Sequence, residues 1–127
     1  MPADDDTRGG ANSATADREI AGRLTVGEGA AARDIAYRRL EGRGPTIVWL
    51  GGYRSDMRGT KAERLLAFAA RHGLRYCRFD YSGHGESGGR FEDGTIGGWT
   101  EEAAAVIAAL GDGPVVLAGS SMGAWVA

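Results

Sequence analysis

The sequence contains a single cysteine, Cys77, so a disulfide within the chain is excluded. A reducing, cytoplasmic setting is the expectation that follows. A basic surplus is also missing. Fifteen Lys and Arg stand against 17 Asp and Glu, a formal net charge of -2, which argues against nucleic acid as a partner. No apolar run approaches the roughly 18 residues that a membrane-spanning helix needs. The opening MPADDDTRGG is acidic and lacks the basic-then-apolar order of a secretory signal. What remains is the composition of an ordinary soluble globular chain, 43% hydrophobic and 25% charged over 127 residues, enough for one small domain. Glycine is plentiful, at 22 residues, but follows no three-residue period, which excludes a collagen-like chain.

Residues 1–18 read as a disordered polar tail, rich in Asp, Gly, Ala, Ser and Thr and without apolar periodicity. RLTV and RDIAYRRL then predict a β-hairpin across GEGAA. TIVWL, residues 46–50, is a continuous β-branched and aromatic run, the pattern of a strand buried on both faces. A helix is predicted from Thr60, where Thr60 and Glu63 have capping-box spacing. Its apolar face is Ala62, Leu65, Leu66 and Ala69, and Gly73 caps its end. LRYCRF, residues 74–79, is the next strand. A second helix carries Trp99, Ala103, Val106, Ile107 and Leu110 on one face, and PVVLAGS is a further buried strand. Strands alternating with helices predict an α/β fold, a mostly parallel sheet with helices on both faces.

The last of these strands runs into GSSMG, residues 119–123, a G-x-S-x-G pattern that opens an apolar helix. In a chain this rich in glycine the pattern arises by chance about 0.17 times, so alone it says little. Gly85–Gly89 matches it too, but in a loop. Context favours Gly119–Gly123, because a serine on a sharp strand-to-helix turn is lifted clear of the sheet, and flanking glycines relieve the crowding. Ser121 is therefore the candidate nucleophile. The N–H of Met122, at the start of the following helix, is a candidate oxyanion donor. WLGGYRSD, after the 46–50 strand, places the N–H of Tyr53 as a second donor. His72 ends a helix, where its charge suits the dipole. His84 lies in the loop after the 74–79 strand. If one strand separates it from Ser121, the distance is about 10 Å, too far for a base. Gly83, Gly85 and Gly88 spell a dinucleotide fingerprint, but loop, not helix, follows them.

LGGYRSDM, FDYSGHGES and GSSMG, in that order, resemble the α/β-hydrolase family over about residues 20–127. Within it they look like the subgroup of the mitochondrial palmitoyl-protein thioesterase, also described as an acyl-glucuronide esterase, and its bacterial relatives. The resemblance implies an α/β-hydrolase fold over residues 19–127, truncated after the nucleophile turn. It implies a serine hydrolase of small-molecule acyl esters or thioesters, with no cofactor and no metal. Ser121 would be the nucleophile, with Tyr53 and Met122 forming the oxyanion hole. Asp80 and its turn would be a structural feature beside the site, Ser82 standing where many members carry arginine and Gly51 where many carry histidine. The family orders its triad Ser, acid, His, and neither an acid nor a histidine follows Ser121. The expectation is that the acid, the base and any lid lie beyond Ala127. The 127 residues alone would then be poorly soluble, with PVVLA as an unpaired edge, and inactive. A non-catalytic chain that binds a partner through this open sheet edge is one alternative. An acyltransferase or a cofactor-free peroxidase on the same scaffold is another. Nothing in the sequence fixes an oligomeric state.

Overall fold

A computed structural model describes residues 18–111 and 113–127. The polar tail expected over residues 1–18 lies outside the described residues except for Arg18. Five strands form one sheet: β1 (Ile20–Val26), β2 (Arg33–Leu40), β3 (Arg43–Leu50), β4 (Leu74–Phe79) and β5 (Val115–Gly119). Their order across the sheet is β1-β2-β4-β3-β5. β1 and β2 are the expected antiparallel hairpin, with Ile20 opposite Arg39 and Val26 opposite Arg33. β2 runs antiparallel to β4, and β4, β3 and β5 are parallel to one another.

Three helices follow the parallel strands: α1 (Thr60–His72), α2 (Ile96–Leu110) and α3 (Met122–Val126). Alternate residues of β3 explain why helices cover both faces. Ile47 and Trp49 pack with Ala62, Leu66 and Ala69 of α1 and with Leu40 and Tyr76. Val48 and Leu50 point the other way, to Trp99, Ala103 and Val106 of α2 and to Phe79, Tyr81 and Met122. A strand with both faces covered must be apolar throughout, as this one is from Ile47 to Leu50. Truncating a fully buried residue such as Leu66 to alanine costs about 2–5 kcal/mol in such a core.

Several expectations are corrected in detail. β3 starts at Arg43, ahead of the apolar run. Its register with β4 shifts between Arg43 and Thr46, where Gly44 is left-handed (φ 75°) and Pro45 has no N–H to donate, which makes a bulge. The cap of α1 is Gly59, with no side-chain capping bond, and Thr60 is already helical. Glu63 turns away from the helix end to pair with Arg78 at 2.7 Å. Gly73 does end α1 in the left-handed conformation, donating to the carbonyls of Ala69 and Ala70. β5 reads as a buried strand from its composition, but it is the outer strand of the described sheet, paired only with β3, with Val116 and Leu117 exposed, as expected for PVVLA as an unpaired edge.

Only Glu41 and Gly42 separate β2 from β3, yet these strands are not neighbours, because β4 lies between them. A Cβ at Gly42 would come within 2.5 Å of the Leu74 carbonyl carbon and 2.7 Å of the Gly73 carbonyl oxygen. No larger residue fits where β4 begins.

Candidate active site

The parallel strands β4, β3 and β5 end along one edge, and their three loops meet there. This is where an open α/β sheet collects its functional groups. The turn after β5 is the most strained. Ser121 has φ 56° and ψ -119°, a conformation that a residue with a Cβ adopts at a cost of about 1–3 kcal/mol. It precedes α3 directly and is exposed. Its hydroxyl makes no hydrogen bond among the described residues.

The glycines on either side are enforced by contact. A Cβ on Gly123 would collide with the carbonyl oxygen of Leu50, and one on Gly119 would lie 2.6 Å from the Gly123 carbonyl carbon. All these neighbours are backbone and cannot swing aside. The turn is fixed by the Ser120 N–H donating to Leu50 O (3.2 Å) and the Gly123 N–H donating to Ser120 O (2.9 Å).

The loop after β3 abuts this turn. A Cβ placed on Gly52 would be 3.5 Å from the Ser121 Cβ. The Gly52 carbonyl accepts from the Ser55 N–H (3.2 Å) and hydroxyl (2.7 Å), which tightens the loop. Tyr53 follows Gly52, half exposed, with its ring edge-on to Phe91 (5.1 Å) and Trp99 (6.1 Å). The N–H groups of Tyr53 and Met122 donate to no acceptor among the described residues.

The loop after β4 braces the loop after β3. His84 is buried, its Nδ1 3.0 Å from the carbonyl of Ser82, while its Nε2 accepts from the Arg54 N–H at 3.1 Å. These partners fix a neutral ring with the proton on Nδ1. They also account for Arg54 at φ 61°, since that conformation aims its N–H at the ring. The Arg54 guanidinium lies over the Phe91 ring at 4.6 Å. Both ring nitrogens of His84 are thus occupied, and β3 lies between its strand and that of Ser121, the separation anticipated from the sequence. His72 is exposed at the end of α1, stacked near Phe68 (4.4 Å). Neither histidine reaches Ser121.

Asp80 is the second brace. Its Oδ1 accepts from the Met57 N–H (2.7 Å) and its Oδ2 from the Glu86 N–H (2.8 Å). Burial raises its pKa above the ordinary carboxylate value, outweighing these two bonds, which pull it down. Ser87, the serine of the other G-x-S-x-G match, is fully engaged. Its hydroxyl donates to Asp80 O (2.6 Å) and accepts from the Ala36 N–H (2.8 Å). Ser82 donates through its N–H (2.8 Å) and hydroxyl (2.6 Å) to the buried carboxylate of Glu102, which also pairs with Arg33 at 3.0 Å. No helix opens at Gly83, Gly85 or Gly88, so the dinucleotide reading fails.

Sequence reasoning missed two groups. Arg78 is fully buried in β4. It holds Glu19 through Nε (2.9 Å) and Nη2 (2.7 Å), and Glu63 (2.7 Å) and the Met57 carbonyl (2.9 Å) through Nη1. It thereby fastens the far end of the loop that carries Tyr53. Lys61 of α1 donates to the Ser120 hydroxyl at 3.1 Å. Among the described residues no cluster of His, Cys, Asp and Glu could hold a metal, and no helix is long and apolar enough to cross a membrane.

No protein-family model matches the chain. It is 44% identical over 93 residues to the mitochondrial palmitoyl-protein thioesterase ABHD10 of Bos taurus, covering 73% of this chain and 30% of that protein. The chain thus spans about a third of the length of the curated relatives it matches. Among solved structures, an Agrobacterium vitis S4 protein assigned as a hydrolase superposes with TM-score 0.81 at 50% identity, over 85% of this chain and 42% of that one. Mouse alpha/beta hydrolase domain-containing protein 10 superposes with TM-score 0.76 at 34% identity, over 83% and 42%. The cytoplasmic expectation is corrected here, because the curated relatives are named as mitochondrial. A lone buried cysteine excludes a disulfide but does not distinguish one reducing compartment from another. The sheet order and these relatives together give the chain an α/β-hydrolase fold, of which it matches the N-terminal part.

Proposed function

We propose that the protein is a serine hydrolase of esters or thioesters. Ser121 attacks the acyl carbonyl, and the N–H groups of Met122 and Tyr53 hold the oxygen that becomes negative. The tetrahedral intermediate collapses to an acyl-serine, expelling the alcohol or thiol. Water then releases the acid. The observation that carries this reading is the backbone of Ser121. It is an exposed, unpaired serine held at φ 56° between glycines that admit no side chain. Strain of this kind persists where the surrounding structure imposes it, and a nucleophile is its common use. The names of the relatives support the substrate class, and acyl esters or thioesters are the small molecules proposed to bind.

The proton of Ser121 needs an acceptor, and both histidines of this chain are placed elsewhere. The base and its orienting acid are proposed to come from outside these 127 residues. Asp80 is not proposed as that acid, because both its oxygens are committed to loop N–H groups.

The test uses the native, full-length protein with a fluorophosphonate probe, followed by mass spectrometry of the modified peptide. Modification at Ser121, abolished in Ser121→Ala and unaffected in Ser87→Ala, is the expected result. A protein that stays unmodified, or carries the probe on another serine, refutes the assignment. Hydrolysis of a thioester in preference to acyl transfer to an added alcohol separates the hydrolase from an acyltransferase.

A further inference from the structure

We infer that Lys61 is a positioning residue for the nucleophile turn, acting through the hydroxyl of Ser120. The inference rests on the hydrolase reading above. Ser120 is the residue before the nucleophile, and it is held at three atoms. Its N–H donates to Leu50 O (3.2 Å), its carbonyl accepts from the Gly123 N–H (2.9 Å), and its Oγ accepts from Lys61 Nζ (3.1 Å). Together these fix the peptide plane from which the strained φ of Ser121 starts. The first two bonds lie within the parallel strands and the turn itself. The third is the only one of the three that comes from a different layer, because Lys61 belongs to α1.

The arm that carries Lys61 is itself anchored. The neighbouring residue, Ala62, accepts from the buried Tyr76 hydroxyl at 2.9 Å. The next, Glu63, pairs with the buried Arg78 at 2.7 Å. Three consecutive residues in the first turn of α1 are therefore tied, two to β4 and one to the nucleophile turn. Lys61 makes no ion pair among the described residues, so its reach to a neutral hydroxyl is not incidental to a salt bridge. An ammonium that donates here has no lone pair for the Ser121 proton, so its role is geometric. The sequence conceals it, because a lysine on an exposed helix position reads as solvated surface.

The experiment measures the rate of fluorophosphonate labelling at Ser121 in the full-length protein, as a function of probe concentration. Lys61→Met should lower the maximal rate about fivefold, the worth of one charge-assisted hydrogen bond at a partly solvated site. The half-saturating probe concentration should not change, and Lys61→Arg should recover most of the loss. Ser120→Ala should show the same loss, and adding Lys61→Met to it should cost nothing more. Full-rate labelling of Lys61→Met overturns the inference. So does a loss that persists in the Ser120→Ala background, or one that appears as weaker probe binding, since either means that Lys61 touches the ligand directly. Wild-type protein that fails to label at Ser121 refutes the hydrolase reading itself, and the role of Lys61 with it.

Discussion

Replacing Ser121 by glycine should make the protein more stable while removing its chemistry. The Ser121 hydroxyl has no partner among the described residues, so its loss leaves no buried group unsatisfied. The backbone at φ 56°, ψ -119° costs a residue with a Cβ about 1–3 kcal/mol, a penalty that glycine escapes. Glycine in turn gives up about 0.5–1 kcal/mol of unfolded-state entropy. Taken at the middle of each range, the net gain is about 1 kcal/mol, or a few degrees in melting temperature. Ser121→Ala is the matched control, because it removes the same hydroxyl and keeps the Cβ and its strain. Urea unfolding of the three proteins, followed by circular dichroism, provides the comparison. The expected order is glycine above alanine, with alanine close to the wild type. A glycine variant no more stable than the alanine variant would mean that the turn stores no strain, and the main support for Ser121 as nucleophile would fall.

Gly123→Ala should cost about 3 kcal/mol or more and abolish Ser121 labelling, because its Cβ meets backbone atoms of Leu50 and Gly51 that cannot yield. Gly97→Ala, within α2 and with open space around it, should instead stabilise by about 0.5–1 kcal/mol in the same urea assay. Asp80 has a raised folded-state pKa, so the stability it contributes is fullest below the ordinary carboxylate value and is lost as pH rises through the raised value. The stability gap between wild type and Asp80→Asn should therefore narrow over that interval in urea melts from about pH 3 to pH 7, and a widening gap would contradict the burial argument. Burial pushes the Cys77 thiol up to about 12. A thiol reagent near neutral pH should leave it unmodified in the folded protein and modify it fully in urea.

Much of this architecture was legible because burial imposes a period. The unbroken apolar run of β3, the spacing of Ala62, Leu66 and Ala69, and the glycine that stops α1 each follow from one local rule, and each is where the sequence puts it. The composition of β5 alone reads as a buried strand, because an apolar strand looks the same at the centre and at the edge of a sheet; its edge position followed only from what the chain places beside it. The bulge at Gly44 and Pro45 broke the alternation that would have marked the start of β3. Within the candidate site, the sharp turn at Ser121 was readable from its flanks, since steric exclusion at Gly119 and Gly123 is itself a sequence requirement. The roles of His84, Arg78 and Lys61 were not. Each is defined by a partner remote in the chain, Arg54, Glu19 and Ser120 respectively, and pairings across elements leave no periodic trace.

The placement of β4 between β2 and β3 has a kinetic consequence. After the short link at Glu41 and Gly42, β3 lies across from β2 with β4 between them, and the residues of β4 come only after the whole of α1. The hairpin of β1 and β2 rests on local contacts, whereas β4 meets β2 only across the whole of β3 and α1. The entropy of closing that loop is spent before any β4 contact repays it. Gly42 sits where β4 begins, backbone against backbone. A side chain there would press against the Gly73 and Leu74 backbone, so the fit of β4 beside β2 depends on a residue far from the serine that the sheet presents.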